Sequence, residues 1–551
     1  MQNTQHDDQD YIPELLALMP LSARDVLICN GGSLARAYRR RNPLVHLTAL
    51  GNCDPDDVDG VLDPEGLAND PDGLFDLVVL NGTAEGSKDP VLLFDQLAAR
   101  LKPGGQLVAS FENDAHWSRM CDRLAGQPVT PAAMQQEQIP ALMKGCGLVL
   151  QRVRGRRLPV SDRQCFDGLM RVGIESGTDL NQLELRLLTT HFVAVATRPF
   201  PAESIAPPVR FHLSELAVGM DVRTRIPAEA LSAEPAIQVS HSVKDLTVPD
   251  FGTAGGIVLL QRPRVSDPRR ILDYVAECQR KGIIVVIEYD DDPSLVARVL
   301  PRVDVPHIYA RNMALAHAVQ TSTPVLAQQF GRWNPEVRVF PNGAEDLAPI
   351  RQHEPGPLRV LYGGLNRTGS DQLAALMAPA IEAVPDLQMD VIHDRVFFDA
   401  LPGEGKRFRE FLPYRDYLDL LGQCDILLMP LEGLPDELGK SDVKWVEASS
   451  RGVVAVASPA VYEATIRHGE NGFIVRKPED WSNLLIELAA DPALRTRVAS
   501  TAWEEVRQGR MMAQQVAHRR DWYLDLMSRR DELFANAIRR SPALAAALAG
   551  S

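Results

Sequence analysis

"GKSDVKWVEASSRGVVAVAS" (439–458) runs from a charged segment into an unbroken apolar run ending in β-branched and small residues. Its spacing predicts a helix from about Ser441 to Ser450 and then a buried strand. Lys440, Lys444 and Glu447 fall three or four residues apart and so share one face. Val443, Val446 and Ala448 cover the opposite side, so the charged face is not simply the outside of a polar helix. Lysines at a helix N-terminus oppose the helix dipole by ~0.3–1 kcal/mol each unless an anion is present. The stretch therefore reads as an anion-facing helix mouth at the edge of a parallel sheet.

The surrounding grammar is the same. "LRVLYGGLNRTGSD" (358–371) is a strand, a Gly363-Gly364 turn and a helix start with Thr368 or Ser370 as N-cap. Backbone N–H groups of such a turn can cradle a diphosphate, and Arg367 can add a charge-assisted fork. "LQMDVIHD", "CDILLMPL" and "GFIV" supply further strands, and "GGIVLLQ", "IIVVIEY" and "AVQTS" repeat the pattern upstream. A third set, "DVLIC", "HLTAL", "FDLVVL" and "GQLVASF", opens the chain. Short apolar runs separated by helical stretches specify an α/β fold with parallel sheets covered on both faces. The proline-rich "RPFPAESIAPPVRF" (198–211) reads as a connector, and "RVFPNGAEDLAPIRQHEPGPLRVLYGG" (338–364) as the handover between two lobes. The expected domains are 1–200, a linker at 201–212, a lobe at 213–345, a lobe with terminal helices at 346–540, and a flexible tail at 541–551.

A chain of 551 residues exceeds what one hydrophobic core usually supports. The apolar share of 45% and charged share of 24% fit a folded globular protein. A formal charge of −15 argues against a nucleic-acid partner, which needs a basic surface. The seven cysteines (29, 53, 121, 146, 165, 278, 424) show no C-x-x-C pair and no Cys/His cluster, so they read as buried reduced thiols and no metal site is expected. The polar, acidic N-terminus is unlike a signal peptide, and no apolar run approaches the ~20 residues of a membrane span, so the expected location is cytoplasmic.

Residues 210–540 resemble GT-B glycosyltransferases of the retaining, family 4 type. The motifs that carry this are "VQTSTPVLAQQF", "VRVFPNGAED", "LRVLYGGLNR" and "CDILLMPLEGLPDELGKSDVKWVEASSRGVVAVAS…ENGFIV". The resemblance implies two Rossmann-like lobes across a cleft, metal-independent transfer from a nucleotide-diphosphate sugar, and a donor held mainly by the second lobe. It assigns Glu447 to the donor ribose. The partner acid of the family's Glu-x7-Glu motif falls on Gly439, with Glu437 or Asp442 as substitutes. The expected donor-binding set is Gly363, Gly364, Arg367, Lys440, Lys444 and Glu447, with Lys440, Lys444 and His307 as catalytic candidates. His307 is expected at a strand start facing the cleft. Acceptors implied are a glycan, a lipid-linked glycan or a protein, in surface polysaccharide or glycoconjugate biosynthesis.

Residues 10–200 resemble class I S-adenosylmethionine-dependent methyltransferases, through "VLICNGGSLARAY" (26–38) and "FDLVVLNGTAEGSKDPVLLFDQLAARLKPGGQLVAS" (75–110). The family's strand-end acid is Ile28 here, its first and third glycines are Asn30 and Leu34, and its ribose acid falls near Gly51. Leu34 is expected to block close backbone approach. A degenerate domain that does not use S-adenosylmethionine is therefore expected, with a bifunctional methylating enzyme as one alternative and a non-catalytic sugar-nucleotide scaffold as another. Asp54, Asp56, Asp57 and Asp59 read as a solvated loop.

Among other candidates, Asp290 and Asp291 read as acceptor contacts or helix caps rather than a metal site, because Asp292-Pro293 is an N-cap followed by proline. Arg311, His393, Glu463 and His468 complete the set. The recurring arginines from Arg507 to Arg540 belong to helices expected to cross back over the first lobe. With Trp522, Tyr523 and Leu526 they also fit a peripheral contact with an anionic membrane.

Overall fold

A computed structural model describes residues 12–51, 53–62, 74–82, 89–127, 133–199, 208–217, 221–364 and 369–549. It divides into two compact units, one of 1–208 with 232–236 and one of 209–231 with 237–551. The fold is α/β, with three Rossmann-like sheets.

The first unit's sheet contains β1 (Asp25–Cys29), β2 (His46–Leu50), β3 (Gly60–Leu62), β4 (Phe75–Leu80), β5 (Leu101–Glu112), β6 (Val149–Arg157) and β7 (Thr189–Thr197), in the order β3-β2-β1-β4-β5-β7-β6. β1 to β5 are parallel; β7 runs antiparallel to both β5 and β6. β6 carries Arg152, Arg154, Arg156 and Arg157 and is an edge strand that apolar periodicity does not reveal. Cys121 and Cys165 are joined, Cα atoms 6.6 Å apart, linking helices Trp117–Leu124 and Arg163–Glu175. The expectation of seven reduced thiols is corrected for this pair, 44 residues apart, because only packing of the two helices brings them together. Cys29, Cys53, Cys146, Cys278 and Cys424 are free.

The second unit carries two all-parallel sheets. The first lobe has β8 (Val209–Glu215), β9 (Ile237–Val243), β10 (Gly256–Gln261), β11 (Ile283–Glu288), β12 (Ala318–Thr321) and β13 (Val337–Val339), ordered β13-β12-β11-β10-β8-β9. β8 begins inside the stretch read as a linker. The second lobe has β14 (Arg359–Gly363), β15 (Gln388–Ile392), β16 (Lys406–Arg409), β17 (Ile426–Met429), β18 (Val454–Ala457) and β19 (Phe473–Ile474), ordered β16-β15-β14-β17-β18-β19. That is the doubly wound 3-2-1-4-5-6 order, whose direction reverses between β14 and β17. In such sheets ligands bind outside the carboxyl ends of the strands at the reversal.

The C-terminal helices return to the first lobe. Trp522 packs edge-on to Phe340 (ring centroids 5.4 Å apart), Tyr523 packs on Phe211 (4.7 Å), and Leu526 is fully buried. These residues are therefore part of the interior, which removes them from any membrane-facing surface. No helix among the described residues is long and apolar enough to cross a membrane. The tail expected to be flexible is a helix, Pro542–Ala549, with Leu544 fully buried in the first lobe's core beside Ala537. Leu544→Ala is expected to destabilise the chain by ~2–5 kcal/mol through the cavity it leaves; urea unfolding midpoints check this, and a flexible tail would leave them unchanged.

Candidate functional site

The helix of the opening stretch spans Val443–Ser450, two residues later than expected. Asp442 stands at its N-cap position, but Arg510 holds that carboxylate in a fork (2.7 and 2.7 Å) and Thr465 donates to it at 2.8 Å. Lys440 therefore lies in the preceding loop and does not share a helix face with Lys444 and Glu447. Its ammonium instead reaches the first lobe, 3.6 Å from Asp291. Of the expected apolar side, Val446 and Ala448 are buried in the second lobe's core and Val443 is only half-buried; Trp445 joins the core in its place.

Lys444 extends from the first turn across the reversal of strand order and donates to the Gly363 carbonyl at the end of β14. One helical turn on, the Glu447 carboxylate is buried and accepts from Tyr417 Oη at 3.0 Å. Burial raises its pKa above the ordinary value, against the pull of Lys444 and the hydroxyls of Tyr417 and Tyr414. A Cβ on Gly364 would lie 2.8 Å from Tyr362 Oη and 3.3 Å from Asp394 Oδ2. The backbone can make this close turn only without a side chain. Asp394 is buried and accepts from Tyr362 Oη (3.0 Å), Ser370 Oγ (3.2 Å) and Phe397 N (2.9 Å). Ser370 is thus a donor to Asp394 and not the expected N-cap; Gly369, at φ +70°, takes that position. Arg367 and Thr368 lie outside the described residues.

Gly439 marks where the lobes meet. A Cβ there would lie 2.8 Å from Leu326 Cδ2 and 3.7 Å from the Asp292 Cβ, both in the first lobe. Thr323 Oγ1 donates to the Gly439 carbonyl at 3.1 Å. Neither substitute acid is available: Glu437 is buried and accepts from the backbone N–H of Gly433 (2.9 Å) and Leu434 (3.3 Å), and Asp442 is held by Arg510.

Across the seam, Arg262 forks onto Asp290 and also reaches Asp291 at 2.8 Å. Coulombic and hydrogen-bond contact with Arg262 lowers the Asp290 pKa despite burial. Asp292 caps the helix Pro293–Val299 by accepting from Ser294 N at 2.7 Å, as its proline neighbour indicated. No group of three or more His, Cys, Asp or Glu among the described residues could hold a metal ion. His307 is corrected from a strand start to the first turn of the helix Val305–Leu315, where it is exposed; Asp304 and Pro306 start a helix there. Arg311 donates to the Val265 carbonyl and stays within the first lobe. His468 Nδ1 pairs with Ile474 inside a turn, and Glu463 faces Arg476. His393, at φ +65°, follows β15 and stands edge-on to the exposed Phe411 (6.4 Å).

Sequence reasoning missed Arg262, Tyr417 and the Arg510–Asp442 fork. Their partners lie 28, 30 and 68 residues away, so no local spacing could show them.

In the first unit, Leu34 does not obstruct the glycine turn. It is fully buried, because the helix Gly32–Arg41 turns it inward. Asn30 lies against Gly51, where a Cβ would overlap its Oδ1, and Asn81 Nδ2 donates to the Asn30 carbonyl at 3.1 Å. In the acidic run Asp54, Asp56 and Asp59 are exposed, as a solvated loop implies, and Asp57 alone is buried. Arg36 forks onto Asp57 (3.0 Å) and reaches Asp54 (2.9 Å), and Arg39 reaches Asp59 (2.8 Å).

Neither protein-family models nor curated proteins match this chain. Among solved structures it is similar to Anabaena Alr3699/HepE in complex with UDP, at 14% identity and TM-score 0.39 over 57% of this chain and 99% of that one. It is also similar to TarM, at 9% identity and TM-score 0.37 over 49% of this chain and 54% of that one. A SAM-dependent methyltransferase from Archaeoglobus fulgidus is similar at 16% identity and TM-score 0.24 over 34% and 89%. At this degree of likeness, the chemistry of the site rests on its own geometry.

Because the folded Glu447 has a raised pKa, its stability contribution is full below the unfolded value near 4.5 and declines as pH rises through the folded value. Glu447→Gln is therefore expected to gain stability relative to the parent as pH increases above about 4.5. Paired denaturant titrations across a pH range of about 4–8 check this; a difference independent of pH would refute it.

Proposed function

We propose that the second unit is a glycosyltransferase that takes a nucleotide-diphosphate sugar as donor. The observation that carries this reading is the placement of Lys444 at the Gly363-Gly364 turn, by the reversal point of a doubly wound sheet, with Glu447 one helical turn on. That position suits a diphosphate and a ribose together: a cation beside a glycine turn for the phosphates, and a carboxylate for the ribose hydroxyls. Transfer breaks the bond between the anomeric carbon and the phosphate oxygen, whose electron pair leaves with the nucleoside diphosphate; the acceptor hydroxyl oxygen forms the new bond to the anomeric carbon and its proton passes to the leaving phosphate oxygen. Without a metal, protein cations must take up that charge. Lys444 is the first of these and Arg367 the second. Lys440 joins them when the diphosphate displaces it from Asp291.

His393 and the exposed face of Phe411, beyond β15 and β16, suit the nucleobase. The acceptor hydroxyl, from a glycan, a lipid-linked glycan or a protein, comes from the first lobe's side, near Arg262 and Asp291. Retention of configuration, a role in surface polysaccharide or glycoconjugate synthesis and a cytoplasmic location complete the reading. No cofactor is assigned to the transfer, and the first unit is not assigned S-adenosylmethionine chemistry.

The absence of a carboxylate at Gly439, which packs against Leu326, favours a second reading, a non-catalytic sugar-nucleotide-binding protein. Calorimetric titration with UDP, GDP and their sugars tests binding. Lys444→Ala is expected to weaken the best ligand at least about tenfold, the loss of one charge-assisted contact of ~1.5–3 kcal/mol; unchanged affinity would remove the assigned grip. Binding without donor hydrolysis or transfer would select the second reading.

A further inference from the structure

The first lobe contains a second polar constellation, separate from the Lys444 site. Its strand order, read from the other edge, is 2-1-3-4-5-6, with the reversal between β8 and β10. At that reversal Gln261 ends β10 and lies in register with Glu288 of β11, which lies in register with Gln320 of β12. Glu215 of β8 is in register with Gln261 on its other side, so these four side chains form one row on one face of the sheet. Arg223, in the connection after β8, donates to Glu288 (2.6 Å), to the Phe340 carbonyl (2.6 Å) and to Asn342 Oδ1 (3.0 Å). Gln320 donates to Glu288 and accepts from Tyr523 Oη at 2.7 Å.

Arg519 closes the row from the helix Met512–Ser528. Its guanidinium lies 4.5 Å over the Phe340 ring, and the residue is 1% exposed. No carboxylate among the described residues forms an ion pair with it. Its Nε and Nη2, together with Nη2 of Arg223, are buried donors with no partner among the described residues. Both amide atoms of Gln261 and of Gln515, one turn before Arg519, are likewise without one there. Burial and the neighbouring Arg223 push the Arg519 pKa down to about 10. Two guanidinium groups thus stand beside Glu288, while Glu215, at the far end of the row, lies 3.3 Å from His241 Nε2. Buried donors are otherwise almost always satisfied, and leaving charged ones unmet is costly.

We propose that this reversal point, beneath the connector Phe340–Asn342, is an enclosed binding site for a small monovalent anion of chloride size, held by Arg223 and Arg519. The connector joins the lobes, and Asn342 Nδ2 also donates to Ser441 Oγ at 2.8 Å in the loop carrying Lys440. The anion would thus stiffen the join between the lobes without taking part in the transfer.

Crystals of the full chain grown or soaked in bromide test this directly. The expected result is an anomalous peak within contact of Arg519 Nε or Nη2 and Arg223 Nη2; water alone at that position overturns the proposal. In solution, chloride or bromide is expected to raise Tm by about 2–4 °C over gluconate at equal ionic strength, as ligand binding to the folded state requires. Arg519→Met, which keeps the stacking volume, should lose that increment while matching or exceeding the parent in gluconate. An equal halide response in parent and variant would also overturn it. Should Arg519→Met fold poorly, the bromide crystal of the parent still decides the matter.

Discussion

The contact on which the second unit's arrangement depends is the docking of the 431–442 loop onto the first lobe. Leu326 packs against Gly439, Thr323 hydrogen-bonds its carbonyl and Asn342 holds Ser441, while from the second lobe's side Arg510 forks onto Asp442. Arg298 adds an ion pair to Asp436 at 2.8 Å. Each is modest alone, yet together they fix the loop that immediately precedes the helix carrying Lys444 and Glu447. The position of those two side chains relative to the first lobe follows from that docking.

The same docking explains why the chain departs from the Glu-x7-Glu pattern it otherwise resembles. At residue 439 a Cβ would lie 2.8 Å from Leu326 Cδ2, so a side chain there would require Leu326 to shift. Charge is redistributed accordingly. Lys440 balances Asp291, which Arg262 already holds, and Lys444 remains beside the glycine turn. The near neighbours of Lys444 there include the Gly363 carbonyl and the buried Glu447.

The C-terminal helices show how one composition serves two readings. Eight arginines interleaved with aromatic residues suit an anionic surface, but the fold turns the aromatic side inward against Phe340 and Phe211. Several arginines then find partners within the unit: Arg510 with Asp442, Arg529 with Glu336 and Asp525, and Arg540 with the Ala316 carbonyl. Arg519 is enclosed over Phe340 beside a second guanidinium, that of Arg223.

The sequence by itself determined the α/β class and most of the strands, because alternating apolar runs and the breaks between them are local properties of the chain. It also placed Lys444 and Glu447 on one helix turn, since their spacing along the chain brings them together in any helix. Tertiary structure alone decided that Lys440 leaves that face for Asp291, that Gly439 is a packing contact, that Cys121 meets Cys165, and that the final helix is core. Those outcomes depend on residues tens to hundreds of positions apart becoming neighbours. Such proximity leaves no periodic trace in a single chain, so only the folded packing could reveal it.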